Sequence, residues 1–465
     1  MQITIHRGTR EVGGNCVELQ SGKSRIVLDV GMPLFDSKRQ TLDTGDLRRR
    51  PREELLAQGI LPRVPGLFVE GPRVDAILLS HAHEDHTGLI PHSFDDIPVY
   101  ASTGTSKMML AGHFFAMQPD LPDARFHKLT AGQPVTIGAF RVTPFEVDHS
   151  IFGAMAFLIE ADGQKVLYSG DLRLHGRHPK MAEALISELA GITLNAVLIE
   201  GTHIEHPDLL GPTEHTLEDH LVQWIEDAPS LVLASFSPQH VDRLIAFLNA
   251  AQRTGRLFAA DGYTAFVIYL VQSQIPELRK LADEVLRVWY PTYYRGNRHR
   301  PSLANMEKAF ASRCIELDQL RENPARYVTI FRPSMFTSDF EDKLPSESLC
   351  LHSRWAGYLE QPEWKSLALA LDGVCGRLQQ VHTSGHIFAA DIARFLSQLE
   401  FRQAIPIHTF DPEGFQIRWP NVVCLKDGEA FQIERDGASH RCRGVDPPCE
   451  EPAASPVPLT HPETN

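Results

Sequence analysis

The N-terminal part of the chain alternates apolar and polar positions in short runs, MQITIH, NCVELQ and SRIVLDVG, the two-residue period of strands with one buried face. A polar excursion from Phe35 to about Glu70 interrupts them before the apolar run VDAILLS. Further strands are expected at PVYAS, at FRVTPFEV and in AMAFLIEADGQKVLYSG, where Asp162-Gly163 supplies a two-residue hairpin turn. From about Thr216 the period changes. TLEDHLVQWIEDA and HVDRLIAFLNAAQRTG read as amphipathic helices interleaved with the apolar runs SLVLASF and RLFAAD, which predicts a parallel α/β unit. Strand patterns return at QAIPIHTF, VVCLKDG and AFQIER, and no internal repeat is evident. After Gly444 the run VDPPCEEPAASPVPLTHPETN holds too little apolar surface to order itself.

Composition narrows the class. At 465 residues the chain exceeds the size at which a single core stops growing, so two domains are expected. Hydrophobic residues at 43% and charged residues at 22% fit a globular protein, and no apolar run is long enough to cross a bilayer. The N-terminus lacks the apolar core of a signal peptide, so a cytoplasmic location and no membrane partner are expected. Seven cysteines (Cys16, Cys314, Cys350, Cys375, Cys424, Cys442 and Cys449) without C-x-x-C spacing argue against a disulfide framework and a thiolate zinc site. A net charge of -14 excludes nonspecific attraction to nucleic acid over the whole surface. It leaves room for a local basic groove, for which LRRRPR (Leu47 to Arg52) and YYRGNRHR (Tyr293 to Arg300) are candidates, the second with tyrosines that could stack on bases.

The candidate chemistry begins in AILLSHAHEDHTG. His81, His83, Asp85 and His86 follow an apolar strand at H-x-H-x-D-H spacing, which is not the i, i+4 spacing of a helical zinc motif. A loop leaving a strand end lets such side chains converge from different directions. Three imidazoles and a carboxylate are too many for one four-coordinate ion that keeps a position open for water, so two metals are implied. More ligands should then stand at later strand ends. Asp148-His149 follows FRVTPFEV, Asp171 follows VLYSG, and His408 ends AIPIH.

With Asp29 in IVLDVG, this ordered set resembles the metallo-β-lactamase superfamily. The resemblance implies an α/β fold, a four-layer αββα sandwich. It implies that His81, His83 and His149 hold one ion, that Asp85, His86 and His408 hold the other, and that Asp171 bridges them. Asp29 would steady the histidine loop from behind the ligands. Nitrogen and oxygen donors do not separate zinc from manganese; two zinc ions are the first expectation and manganese the second.

The scaffold serves several chemistries, so the substrate must come from elsewhere. Between LIEGTH (Glu200 to His203) and VHTSGH (Val381 to His386) lie roughly 170 residues, enough for a further domain that a small-molecule hydrolase does not need. Glu200, His386 and His408 resemble, in order, the three extra motifs of the β-CASP nucleases, a branch that includes ribonuclease J. Accordingly, residues 1–206 and 378–444 are expected to form a discontinuous metallo-β-lactamase domain, 207–377 an inserted parallel-sheet α/β β-CASP domain, and 445–465 a disordered tail. The histidine at position 408 favours RNA, because DNA-repair members of the branch carry an apolar residue there.

The expected function is therefore a two-metal phosphodiesterase, a ribonuclease J-like exo- or endoribonuclease acting on single-stranded RNA through a metal-bridging hydroxide. Asp85, Glu200 and His386 form the expected catalytic set, with His386 as proton donor to the leaving ribose oxygen and Glu200 orienting its other ring nitrogen. Alternatives are a DNA nuclease of the same architecture and a noncatalytic nucleic-acid-binding relative, the latter disfavoured by the complete ligand set. Ser384, expected just before a helix in SGHIFAADIARFLSQL, and Ser235 and Ser237, between a strand and a helix with Pro238 early, are candidate phosphate contacts. Their simpler reading is N-capping. Ribonuclease J commonly carries a further C-terminal domain linked to dimer formation, and the present sequence ends soon after the catalytic region, which leaves a homodimer open.

Overall fold

The computed structural model describes residues 1–295, 301–433 and 439–441. The expected tail, 445–465, and the basic end of YYRGNRHR lie outside the described residues. Three sheets organise the chain. The first has eight strands in the order Ser439–Arg441, Ala430–Ile433, Gln2–Arg7, Cys16–Ser21, Ser24–Leu28, Ala76–Leu78, Val99–Ser102, Phe126–Leu129. The second has six, in the order Phe401–Ile407, Leu194–Glu200, Gln164–Tyr168, Met155–Ala161, Phe140–Glu146, Val135–Ile137.

Alternation of side chains across the strands explains why these two sheets face each other. Ile3, Ile5, Val17, Leu19, Ile26 and Leu28 of the first sheet pack against Phe140, Val142, Phe157, Ile159, Val166 and Leu198 of the second in one apolar layer. The opposite face of the first sheet, with Val27, Ile77 and Val99, is covered by Met108 and Met109 of the helix Thr103–Phe115. The opposite face of the second, with Leu158, Leu167 and Val197, is covered by the helices Lys180–Leu189 and Ala389–Leu396. Helix, sheet, sheet and helix make four layers. At Asp162-Gly163 both residues adopt positive φ, 53° and 76°, and close the expected hairpin.

The third sheet is parallel throughout, ordered Leu286–Val288, Leu257–Ala260, Tyr327–Ile330, Val232–Ser235, Leu349–His352, Arg377–Gln380. Its four central strands read as short, mainly apolar runs because helices cover both faces, whereas the edge strand Arg377–Gln380 is mostly polar. The chain is thus an α/β protein in which a mixed-sheet sandwich carries an inserted parallel-sheet unit. The last strand of that unit straddles the 377/378 boundary expected from sequence.

Three local expectations need correction. VVCLKDG is not a strand: Val422 makes an isolated bridge to Ala404, and the segment then turns at Asp427-Gly428. The helix after Gly385 starts only at Ala389, because Ser384 to Phe388 is occupied in holding the site described below. The helix after Pro238 starts only at Val241 with His240 at its cap position, since Ser237 O is taken by the His240 N–H in a preceding turn. Among the described residues no helix is long and apolar enough to cross a membrane.

Candidate metal centre

The strand Ala76–Leu78 is apolar at every position and runs parallel between two neighbours, so its end delivers the histidine loop to one edge of the sandwich. The loop turns into the short helix Glu84–Thr87, and backbone bonds fasten it to two other segments. Val30 N–H donates to His86 O at 2.8 Å, Met32 N–H to Glu84 O at 3.0 Å, and Asn15 N–H to Asp85 O at 3.2 Å. A β-carbon on Gly31 would stand 1.7 Å from the Asp85 carbonyl oxygen, so glycine is what allows this approach. The polar excursion braces the same loop: Arg48 pairs with Glu84 at 2.9 Å, and the Thr44 hydroxyl donates to it at 3.1 Å.

The second sheet brings in the rest. Gln164–Tyr168, Leu194–Glu200 and Phe401–Ile407 are adjacent and parallel, so Asp171, Glu200 and His408 emerge at the same edge. His149 comes from the loop after Phe140–Glu146. Ligand atoms of His81, His83 and His149 lie within 4.8 Å of one another, as do those of Asp85, His86, Asp171 and His408. A third such group joins Asp171 and His408 to Glu200 and His386. Asp171 Oδ2 is 3.1 Å from His86 Nε2, 3.6 Å from His408 Nε2, 3.8 Å from His81 Nε2 and 3.9 Å from His149 Nε2, between the first two groups.

Hydrogen bonds on the outer ring nitrogens decide which inner atoms carry lone pairs. His149 Nδ1 faces the Gly385 carbonyl at 2.6 Å, and a carbonyl only accepts, so Nδ1 holds the proton. His86 Nδ1 faces the Asp29 carboxylate at 2.8 Å. The Ser80 hydroxyl donates to Asp29 at 2.7 Å and so accepts from His81 Nδ1 at 3.0 Å. The Thr202 hydroxyl donates to Glu200 at 2.8 Å and accepts from His408 Nδ1 at 2.9 Å. All four Nε2 atoms therefore point lone pairs inward. Those of His81 and His149 each stand 3.1 Å from His83 Nδ1, and that of His408 stands 3.1 Å from Asp85 Oδ2. His86 Nε2 and both Asp171 oxygens are buried without a hydrogen-bond partner. Lone pairs so crowded repel unless cations lie among them, and the donor set of imidazole and carboxylate suits divalent metals.

The electrostatics agree. Burial, aided by the neighbouring imidazoles, holds His81 and His149 well below the usual range, and burial pushes His83 down to about 4, which keeps these rings neutral as ligands. Burial opposes ionisation of Asp85 and Asp171, yet the imidazoles beside them outweigh it and hold both carboxyls well below the carboxylate range, while Asp171, Asp85 and Asp29 outweigh burial at His86 and raise it well above the usual imidazole range, so that a cation at its Nε2 would take the place of a proton. At His386 burial is outweighed by Glu200, then by Asp171, and the ring is pushed up to about 9. Its Nδ1 sits 3.1 Å from Glu200 Oε2.

The other sequence candidates sit as follows. Asp29, in the left-handed region at φ 57°, accepts from Ser80 N–H and Tyr168 Oη, each at 2.7 Å, as well as from His86. Ser384 is not at a helix N-terminus; its hydroxyl accepts from the His386 N–H at 3.0 Å and meets His203 Nε2 at 2.7 Å. Ser235 is buried at the end of its strand, and Ser237 lies half-buried in the turn that precedes the next helix. LRRRPR is largely committed to carboxylates, Arg48 to Glu84 and Arg50 to Asp46 and Glu54. Tyr293 donates to Asp261. Thr202, Ser80 and Tyr168 went unnoticed in the sequence. A hydroxyl behind a ligand leaves no periodic or spacing signal.

Comparison with known proteins agrees with this geometry. A family model described as a beta-lactamase superfamily domain matches residues 42–230. An RNase J-like protein of Methanocaldococcus jannaschii is 24% identical over 277 residues, 56% of this chain and 58% of that protein. Ribonuclease J of Mycolicibacterium smegmatis is 26% identical over 265 residues, 55% of this chain and 43% of its own length. The aligned part thus spans about half the length of these relatives. A crystal structure of a protein of unknown function from Enterococcus faecalis V583 superposes with a TM-score of 0.73 at 21% identity, covering 92% of this chain and 99% of that one, a likeness of fold. Fold, converging donors and relatives point the same way: the chain carries a beta-lactamase superfamily domain over residues 42–230 and resembles the β-CASP, ribonuclease J-like branch of the metallo-β-lactamase superfamily.

Proposed function

We propose that the chain is a metal-dependent phosphodiesterase that hydrolyses single-stranded RNA. In this reading residues 1–206 with 378–444 form the catalytic domain and 207–377 the β-CASP domain. His81, His83 and His149 would hold one ion and Asp85, His86 and His408 a second, with Asp171 available to both and zinc as the expected metal. The observation that carries the reading is the position of the His386–Glu200 pair against the shared Asp171: His386 Nδ1 is 3.6 Å from Asp171 Oδ2 and 3.1 Å from Glu200. Divalent cations held there supply positive charge at the phosphate and acidify attacking water.

The chain's own groups do the rest. Glu200, fully buried, is fixed by the Leu172 N–H at 2.9 Å and by Thr202, and it holds His386 through Nδ1. Nε2 is then the ring atom left to give a proton to the departing ribose oxygen, with the buried Glu200 carboxylate at Nδ1 supporting the charged ring. RNA rather than DNA is supported by the names of the relatives and by His408.

The test is metal analysis of the purified protein together with cleavage of matched, end-labelled RNA and DNA. RNA cleavage should fall by at least 100-fold in Asp85→Ala and His386→Ala. Undiminished cleavage in both variants would overturn the mechanism, and preference for DNA would transfer it to the other substrate.

A further inference from the structure

Arg173 is fully buried two residues beyond Asp171, and the reading above gives it no task. Its guanidinium meets four separate segments through five contacts, the longest of them from Nη2 to His240 Nε2 at 3.5 Å, two residues before Asp242. Nε donates to Asp148 Oδ1 at 2.6 Å and Nη1 to Ser384 O at 3.4 Å. Nη1 also donates to Glu214 Oε1 at 2.7 Å, and Nη2 to Asp242 Oδ2 at 3.1 Å. Asp148 and Ser384 belong to the loops that carry His149 and His386, which are themselves joined by the bond from His149 Nδ1 to Gly385 O. Glu214 and Asp242 open helices of the inserted unit, Glu214–Glu226 and Val241–Arg253.

The surroundings extend this link in both directions. The Arg173 N–H donates to Asp148 O at 2.8 Å, and Asp148 Oδ2 accepts from the His178 N–H at 2.6 Å. His175 Nε2 donates to the same Ser384 carbonyl at 2.9 Å. Behind Glu214, the fully buried Arg243 donates to both its oxygens and to Ser353 O at 3.2 Å, beyond the strand Leu349–His352 of the third sheet. Two guanidiniums and three carboxylates so deep in the protein are costly to desolvate, and apolar residues of similar volume would serve stability as well. What a fully bonded fork adds is fixed geometry, because the planar donors of arginine satisfy several acceptors at set angles and those of lysine do not.

We infer that Arg173 is a positioning residue that sets His149 and His386 against the first helices of the inserted unit, so that the seating of that unit fixes the geometry of the metal centre. The inference rests on the metal-centre reading. Removing Arg173 frees the His149 loop from the inserted unit, and breaking only the Glu214 or Asp242 arm loosens it partly, although neither residue belongs to the converging donor groups.

Cobalt(II) titration of the metal-free full-length protein, followed by its visible absorption, tests this, with RNA turnover measured in parallel on the zinc-loaded protein. Arg173→Lys and Glu214→Gln are expected to weaken cobalt binding 10- to 100-fold and to alter the absorption band, with kcat lowered and KM within twofold of wild type. Asp242→Asn, which removes the charge that faces Arg173 Nη2 at 3.1 Å and His178 Nε2 at 3.4 Å, serves if either buried variant does not fold, and should change the spectrum in the same direction. Wild-type affinity, spectrum and kcat in the folded variants would overturn the inference and leave the metal centre standing. A wild-type protein that takes up no cobalt would overturn the metal centre itself.

Discussion

Asp29 combines a left-handed backbone at φ 57° with a fully buried carboxylate that accepts from Ser80, Tyr168 and His86. Its charge holds the proton on His86 Nδ1 and leaves Nε2 free for a cation. Asn tolerates the same backbone but can turn an N–H toward His86, so Asp29→Asn isolates the acceptor from the fold. The expected result is a 10- to 100-fold loss of affinity for the ion nearest His86, read by calorimetric titration with zinc, with an unchanged circular dichroism spectrum. Unchanged affinity would remove Asp29 from the site. Glu18 is a residue whose charge serves stability instead. Arg25 grips both its oxygens, at 2.6 and 3.0 Å, and His6 lies 2.9 Å away. Burial resists ionisation, yet His6 and Arg25 outweigh it and take the carboxyl down to about 2. A folded value below the unfolded one gives stability that is complete above the unfolded value, near 4.5, and disappears as pH falls toward 2. The gain at pH 7 is about 3 kcal/mol. Glu18→Gln should therefore melt well below wild type at pH 7, with the gap narrowing by pH 3; a gap independent of pH would refute the assignment.

At the scale of elements, the site depends on how closely loops approach. Gly31 is in contact with the Asp85 carbonyl, and any β-carbon there must push the histidine loop away from Asn15 and Met32. Gly31→Ala is expected to cost about 3 kcal/mol and to reduce the bound metal per chain, as measured by melting and by elemental analysis. Full metal content in this variant would mean that the loop relocates freely. The strand ends that carry the converging donors were legible in the sequence because the apolar run and the abrupt polar cluster mark both the strand and its exit, as with Ala76–Leu78 and His81. The hairpin at Asp162-Gly163 was legible for a similar local reason, the turn chemistry of its two residues. The start of the helix Ala389–Leu396 was not. Gly385 looked like the end of a loop, but Ser384 bonds His386 and His203 while Phe388 stacks on His175 at 4.1 Å, and these distant partners keep the segment extended. VVCLKDG failed in the same way: its apolar start makes one bridge to Ala404 and the turn at Asp427-Gly428 ends it. Arg173 carries no sequence signal, since all five partners of its guanidinium lie at least 25 residues away.

For the whole molecule, the question is whether the sandwich and the inserted unit unfold together. One apolar layer runs from Val27, Ile77 and Val99 of the first sheet through Met108 and Met109 to Phe266, Val232 and Phe258 of the third-sheet unit. Within it Phe115 of the helix Thr103–Phe115 stacks on Tyr263 at 5.0 Å, and Phe114 lies 5.4 Å from Phe266. A continuous layer of this kind couples the two units, and the Arg173 network joins them a second time beside the metal centre. Metal removal reads that coupling. Cations bind the folded chain and not the unfolded one, and at a free concentration 1,000 times the dissociation constant they stabilise it by about 4 kcal/mol. Chelation should then lower the melting temperature of a single cooperative unit of this length by about 4 °C. Because the layer is shared, calorimetry should show one transition that moves as a whole, and restoring zinc should return it. If the chelated protein instead shows two transitions, with only one displaced, the inserted unit folds independently of the metal centre, and the shared apolar layer does not bind the halves into one cooperative body.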